Sequence, residues 1–119
     1  QADIDGEDHW SGQNYEERGR EFLALRGQHV TILSEQQKII RSDAGKDSLQ
    51  QFIRKEDWNE YHLIVKGNHM RHYINGALMS DVIDEDTVNR RFNGVLGVQV
   101  HVGPPMKIEY RKFRVKAVE

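Results

Sequence analysis

The chain contains no cysteine, only two prolines, no long apolar run and no excess of either charge. The absence of cysteine excludes disulfides, thiolate zinc sites, iron–sulfur clusters and a cysteine nucleophile. Seventeen basic against nineteen acidic residues give a net charge of −2, without the basic excess that nucleic acid or an anionic membrane surface requires. No apolar run approaches the roughly 18 residues of a membrane-spanning helix. The sequence therefore points away from nucleic acid and from membrane insertion.

The length of 119 residues predicts a single domain over residues 1–119 with a small core. Leucine, isoleucine, valine and phenylalanine together number thirty residues, which exceeds the roughly 20% below which chains stay disordered. The mean hydropathy of −0.77 is nevertheless low. Such a chain folds only if its strands and helices pack against one another and bury this small core.

The middle of the chain predicts a three-stranded antiparallel meander. Its β-rich runs, separated by a Gly-Asn pair and an Asn-Gly pair, are residues 60–66, 69–74 and 77–83. Asn-Gly between two such runs is a strong hairpin signal, because a type I′ turn needs positive φ at both central residues.

Two further strands are predicted downstream, at 95–102 and 106–117. On the first, Val98 and Val100 share one face and Gln99 and His101 share the other. We expect the two valines to be buried between sheets and the two polar residues to line a cleft.

The last strand changes the parity of its apolar residues near Arg111-Lys112, which predicts a β-bulge there. Upstream, short strands are predicted at 2–5, 14–18, 21–26, 29–33 and 37–41. A short helix is predicted at 47–53, with Asp47 or Ser48 near its N-cap, and a helical turn at 86–92. The fold class is therefore all-β, an antiparallel β-sandwich.

Two groups of charged residues are candidates for chemistry. Asp3 and Asp5 alternate around Ile4, so both carboxylates share one strand face. Paired carboxylates can hold a cation or act as acid and base, and they are also typical of a solvated edge strand. The segment YEERGR at 15–20 can form an arginine clamp on an oxyanion beside a carboxylate base, or a surface ion-pair cluster.

The histidines and tryptophans are less specific indicators of a functional site. His101 lies on a polar strand face, which fits either a cleft or ordinary solvent exposure. The other histidines show no metal-binding spacing, and we interpret most of them as surface residues; they are His9, His29, His62, His69 and His72. Trp10 lies in a polar loop and can stack on a sugar ring, but it and Trp58 can equally anchor the core.

Five segments resemble, in this order along the chain, the bacterial 3-keto-disaccharide hydrolase family, which has a concanavalin A-like jelly-roll fold. They are QADID at 1–5, YEERGR at 15–20, DWNEY at 57–61, HYING at 72–76 and QVHVGPPMKIEY at 99–110. The last segment and YEERGR are the specific ones. The chain departs from the family at Val102, where alanine is usual, and at Glu21, where glycine is usual.

The resemblance implies a substrate whose sugar C3 has been oxidised to a ketone. A base then removes the C2 proton, the enolate expels the C1 substituent, and water adds. The resemblance assigns base, acid or metal-ligand roles to Asp3, Asp5, Glu16, Glu17 and His101. It also implies substrate contacts by Tyr15, Arg18, Arg20 and Gln99, which lie inside the matched segments. Trp10 is a further candidate for substrate binding, because an exposed ring can stack on a sugar. A divalent cation is the alternative to arginine as the group that stabilises the enolate.

The resemblance also implies that the chain is the C-terminal portion of a longer jelly roll, located in the periplasm or secreted. We therefore expect strands to precede Gln1, and another chain or a second copy to complete the sandwich and cover residues 1–5. The first hypothesis is an enzyme that cleaves 3-keto-glycosides. The alternatives are a non-catalytic carbohydrate-binding module and an interaction domain, each within a larger exported protein.

Overall fold

The computed structural model describes residues 1–118, which form two β-sheets with almost no helix. The strands are β1 Asn14–Glu16, β2 Glu21–Ala24, β3 Gln28–Ser34, β4 Gln37–Asp43, β5 Tyr61–Lys66, β6 His69–Ile74 and β7 Ala77–Asp84. β1 and β2 form a small antiparallel sheet. The other five form a sheet of order β4-β3-β7-β6-β5, in which only β3 and β7 are parallel. No helix in this part of the chain is long and apolar enough to cross a membrane.

The predicted meander is confirmed as β5, β6 and β7. At the turn between β6 and β7, Asn75 has φ 50° and Gly76 has φ 80°, as a type I′ turn requires. The Asn75 amide also donates to the Phe52 carbonyl at 2.7 Å and to Asn59 Oδ1 at 2.8 Å. The turn therefore fixes the segment that contains Phe52 and Asn59.

The core lies between the two sheets. Val30, Ile32 and Val82 from the large sheet pack against Leu23 and Ala24 of the small sheet, and all five are buried. We call this side of the five-stranded sheet its inner face. Because two sheets meet across one apolar layer, the prediction of an all-β sandwich is confirmed.

The two predicted helical segments are present in reduced form. The first is a 3-10 helix at Asp47–Phe52, and its N-cap is Lys46, which makes no side-chain capping bond. The second is a single turn, in which the Arg90 N–H donates to the Asp86 carbonyl at 3.0 Å. The Asp86 carboxylate accepts the N–H groups of Val88 and Asn89 and so stabilises this turn.

The predicted strands at 95–102 and 106–117 are wrong for the described chain. Residues 91–118 are exposed and outside any strand. Val98 is 50% exposed and Val100 is 94% exposed, so their predicted burial is also wrong. Alternation alone does not make a strand, because its N–H and C=O groups need a neighbouring strand.

Three smaller predictions are modified. Lys112 has φ 53°, so the backbone irregularity lies where the bulge was predicted, although no strand ladder surrounds it. The predicted strand at 2–5 is reduced to one bridge between Ala2 and Asn14. His72 is an exception to the predicted surface histidines, because it lies on β6 with 5% exposure.

Candidate active site

A chain of side-chain hydrogen bonds joins the N-terminus to Glu17. The Gln1 amide donates to Asp3 Oδ1 at 2.5 Å and to Gln99 Oε1 at 3.1 Å. The Gln99 amide donates in turn to Glu17 Oε2 at 3.2 Å. Gln99 and Glu17 are 82 positions apart in sequence. The structure thus brings together three of the predicted site residues, Asp3, Glu17 and Gln99.

Asp3 is held from two further directions. Its Oδ2 accepts the Gln13 amide at 2.5 Å, and its backbone carbonyl accepts the Tyr61 hydroxyl at 3.0 Å. Tyr61 belongs to β5, so this bond connects the N-terminal segment to the large sheet. Burial raises the pKa of the Tyr61 hydroxyl, which therefore stays a hydrogen-bond donor.

Asp5 organises the loop that follows it. Its carboxylate accepts the backbone N–H groups of His9, Trp10 and Ser11 at 3.0–3.1 Å, and also the Ser11 hydroxyl at 2.9 Å. Burial alone would raise the pKa of Asp5, but these hydrogen bonds outweigh it and lower that pKa. Asp5 is an anionic anchor for the loop that carries Trp10.

Glu16 and Arg20 face the interior of the molecule. Arg20 donates to Glu16 through Nε at 2.8 Å and Nη2 at 2.9 Å, to both oxygens of Asp84 at 2.8 and 2.9 Å, and to Asp86 at 3.3 Å. These five bonds use all five N–H groups of a guanidinium. No donor of Arg20 is left for a substrate, and its side chain is 5% exposed.

Gly19 makes the Glu16–Arg20 contact possible. A Cβ at this position would lie 2.5 Å from Glu16 Oε2, so any other residue would push the carboxylate away. The hydrogen bonds from Arg20 lower the pKa of Glu16. Glu16 is therefore an anion tied to the hairpin turn, whereas its neighbour Glu17 is exposed.

Three aromatic rings form a patch beside this hairpin. Trp10 lies 5.9 Å from Phe22, and Tyr15 packs edge-on against Phe22 at 5.0 Å, measured between ring centroids. Trp10 is 48% exposed, and Lys46 Nζ lies 5.3 Å from its ring centroid. Arg18 is exposed in the turn after β1, where its φ is 57°. We call Trp10, Tyr15 and Phe22 the aromatic patch.

His101 lies two residues beyond Gln99 in the extended C-terminal segment and is exposed. No hydrogen bond joins its side chain to another residue within 1–118. Nor do three acidic or histidine side chains converge within those residues as a metal ion would require. The donor set does not fit a divalent cation, and we derive no step through one.

Sequence reasoning missed Gln1 and Gln13, the amides that hold Asp3. The alternation that groups Asp3 with Asp5 also includes Gln1, so Gln1 was accessible to the same argument. It also missed Asp84 and Asp86, an Asp-x-Asp pair that pairs with Arg20. Gln13 lies between a turn and β1, outside any alternating pattern that would have assigned it to a strand face.

The search of curated proteins and the search of solved structures each found no match to this chain. The family described as the 3-keto-alpha-glucoside-1,2-lyase-like domain matches residues 1–116, nearly the whole chain. The chain therefore belongs to the family of 3-keto-alpha-glucoside-1,2-lyase-like domains.

Proposed function

We propose that this domain cleaves glycosides that carry a ketone at C3 of the sugar, by elimination followed by hydration. The observation that carries the proposal is the 3.2 Å hydrogen bond from Gln99 to Glu17. It joins the two most specific family-like segments, at 15–20 and 99–110. One contributes an exposed carboxylate and the other an amide that orients it.

Glu17 is the base in this proposal. Its carboxylate takes the C2 proton, which the neighbouring ketone acidifies, and the electron pair forms an enolate on the C3 oxygen. The enolate then re-forms the ketone while the C1–C2 double bond forms and the C1–O bond breaks. Glu16 and Asp5 are less suited to this role, because their oxygens already accept several hydrogen bonds.

The remaining roles follow from charge and position. Arg18 has an exposed guanidinium next to Glu17 and stabilises the enolate oxygen. His101, near Gln99, gives a proton to the leaving oxygen. Water then adds its hydroxide to C1, its remaining proton returns to His101, and Glu17 returns its proton to C2. Asp3 acts through Gln1 and Gln99 as a positioning residue.

Two substrates separate these roles. One is a 3-keto-α-disaccharide, and the other is a nitrophenyl 3-keto-α-glucoside, whose leaving group needs no acid. We expect Glu17→Gln to lower kcat on both by about 10²–10⁴, the usual contribution of a general base. We expect His101→Gln to slow release of the leaving group from the disaccharide only, because nitrophenolate leaves without a proton and before the hydration step. Glu21→Gln, an exposed acid on the same hairpin, is the matched control. Equal activity of Glu17→Gln and wild type would contradict the proposal.

The aromatic patch favours a second candidate, a carbohydrate-binding module without catalysis. Trp10 offers a half-exposed ring of the kind that stacks on sugars. If this candidate is correct, Trp10→Ala abolishes binding of unoxidised oligosaccharides, and the wild-type chain turns over neither 3-keto substrate. Turnover that depends on Glu17 rules it out.

A further inference from the structure

Apart from Gln99 and His101, the C-terminal segment 95–118 takes no part in the proposed site. It contains eleven large apolar residues, whose exposed fractions run from 49% to 98%. Along 96–102 they alternate with small or polar residues, the pattern of a strand with one buried face. An extended segment of this kind presents unpaired N–H and C=O groups that can template another strand.

The whole chain also exposes too much surface for a self-contained domain. Its accessible surface is 8889 Å², whereas a folded monomer of this mass exposes about 6,700 Å². Two chains together carry an excess of about 4,400 Å², which is within the roughly 2,000–5,000 Å² that permanent interfaces bury over both partners.

The inner face of the large sheet is uncovered at both edges. Leu63 and Val65 on β5 share this face with Met70, and they are 46% and 54% exposed. Ile40 on β4 is the in-register neighbour of buried Val30 and is 49% exposed. Apolar strands laid over this face would bury these side chains.

Charge is divided between the two parts of the chain. Residues 95–118 carry five basic residues and one acidic residue, Glu109, a net charge of +4. Residues 1–94 carry twelve basic and seventeen acidic residues, a net charge of −5. The segment of one molecule is therefore complementary in charge to the body of another.

We propose that the 119-residue chain associates with a second copy of itself through residues 95–117, which form β-strands in the complex. The partner supplies the backbone hydrogen bonds and the apolar cover that these residues lack. Gln99 and His101 lie in this segment. If the proposed function holds, association orders the half of the active site that they contribute.

The test is sedimentation of the 119-residue chain between about 1 and 100 µM, at low and high salt. We expect a concentration-dependent dimer that weakens with salt, because opposite charges meet. Val100→Asp should weaken dimerisation at least tenfold. Its side chain is 94% exposed in the single chain, so the substitution removes no internal contact. Val88→Asp, the same change at a 76% exposed position outside the segment, should leave dimerisation unchanged.

Hydrogen exchange provides the second measurement. Amides of residues 95–117 should exchange at least tenfold more slowly at dimer-forming concentrations than in dilute solution. A monomer at every concentration, protection that does not depend on concentration, or association equally affected by both valine variants would overturn the proposal. Sedimentation needs no substrate, so a dimer that lacks activity at all concentrations contradicts the proposed function and leaves this inference standing.

Discussion

At the scale of single residues, neighbouring side chains of the same type have different surroundings. Glu16 accepts three hydrogen bonds from Arg20, whereas the adjacent Glu17 is exposed and contacts the Gln99 amide. Strand alternation pairs Glu16 with Arg18, but the turn after β1 places Arg20 on Glu16 instead. One carboxylate is therefore committed to structure, and the other is available for proton transfer.

His72 should make the free energy of unfolding depend on pH between its normal pKa of 6.5 and its lowered pKa of about 4. Burial lowers its pKa from 6.5 to about 4, and its Nδ1 has no partner within residues 1–118. The unfolded chain therefore binds a proton below pH 6.5 that the folded chain does not bind until about pH 4. The free energy of unfolding should fall by about 2 to 3 kcal/mol between pH 7 and pH 4.5.

Urea unfolding of His72→Phe at these two pH values tests this expectation. The free energy of unfolding of this variant should change little between the two pH values, whatever its stability at pH 7. His62→Phe, at an exposed histidine of β5, should retain the decrease. The carboxyl pKa values of Asp5, Glu16 and Asp81 are lowered in the folded chain. The contribution of these carboxylates to the free energy of unfolding is therefore lost only below about pH 4.5. A decrease of equal size in both variants would contradict the assignment.

At the scale of elements, structure that depends on neighbouring residues could be predicted from the sequence. Pairing between distant segments could not. The meander follows from Asn75-Gly76, because the turn type depends on those residues alone. The segments 95–102 and 106–117 have equally good strand patterns, yet they lack a neighbouring strand in the described chain. The link between Gln99 and Glu17 was likewise unpredictable as a contact, because it joins residues far apart, although both residues were predicted as candidates.

The β1–β2 hairpin contains a strained residue at Glu21, the position where the family usually has glycine. Glu21 has φ 60°, in the left-handed region, where a side chain costs about 1–2 kcal/mol. Glu21→Gly removes that strain but makes the unfolded chain more flexible, at about 0.4–1 kcal/mol. We expect the free energy of unfolding to rise by between zero and about 1.5 kcal/mol, measured by urea titration. Glu17→Gly, where φ is not positive, should instead destabilise the hairpin.

At the scale of the whole molecule, Arg20 joins the two sheets by charge. It leaves the turn between β1 and β2 and contacts Asp84 at the end of β7 and Asp86 just beyond. The hydrogen bonds that Arg20 donates to Glu16 and Asp84 raise its pKa against the effect of burial, so it stays a cation. The apolar layer between the sheets is small, which makes this link a large part of their attachment.

Arg20→Met should therefore destabilise the molecule far more than an exposed arginine would. The methionine keeps most of the apolar stem but leaves Glu16, Asp84 and Asp86 without their cation. Removing one partner of a buried ion pair costs about 3–5 kcal/mol. Arg18→Met, two residues away and exposed, should change the free energy of unfolding by less than about 0.5 kcal/mol. Comparable losses in the two variants would mean that the sheets are held together by their apolar layer alone.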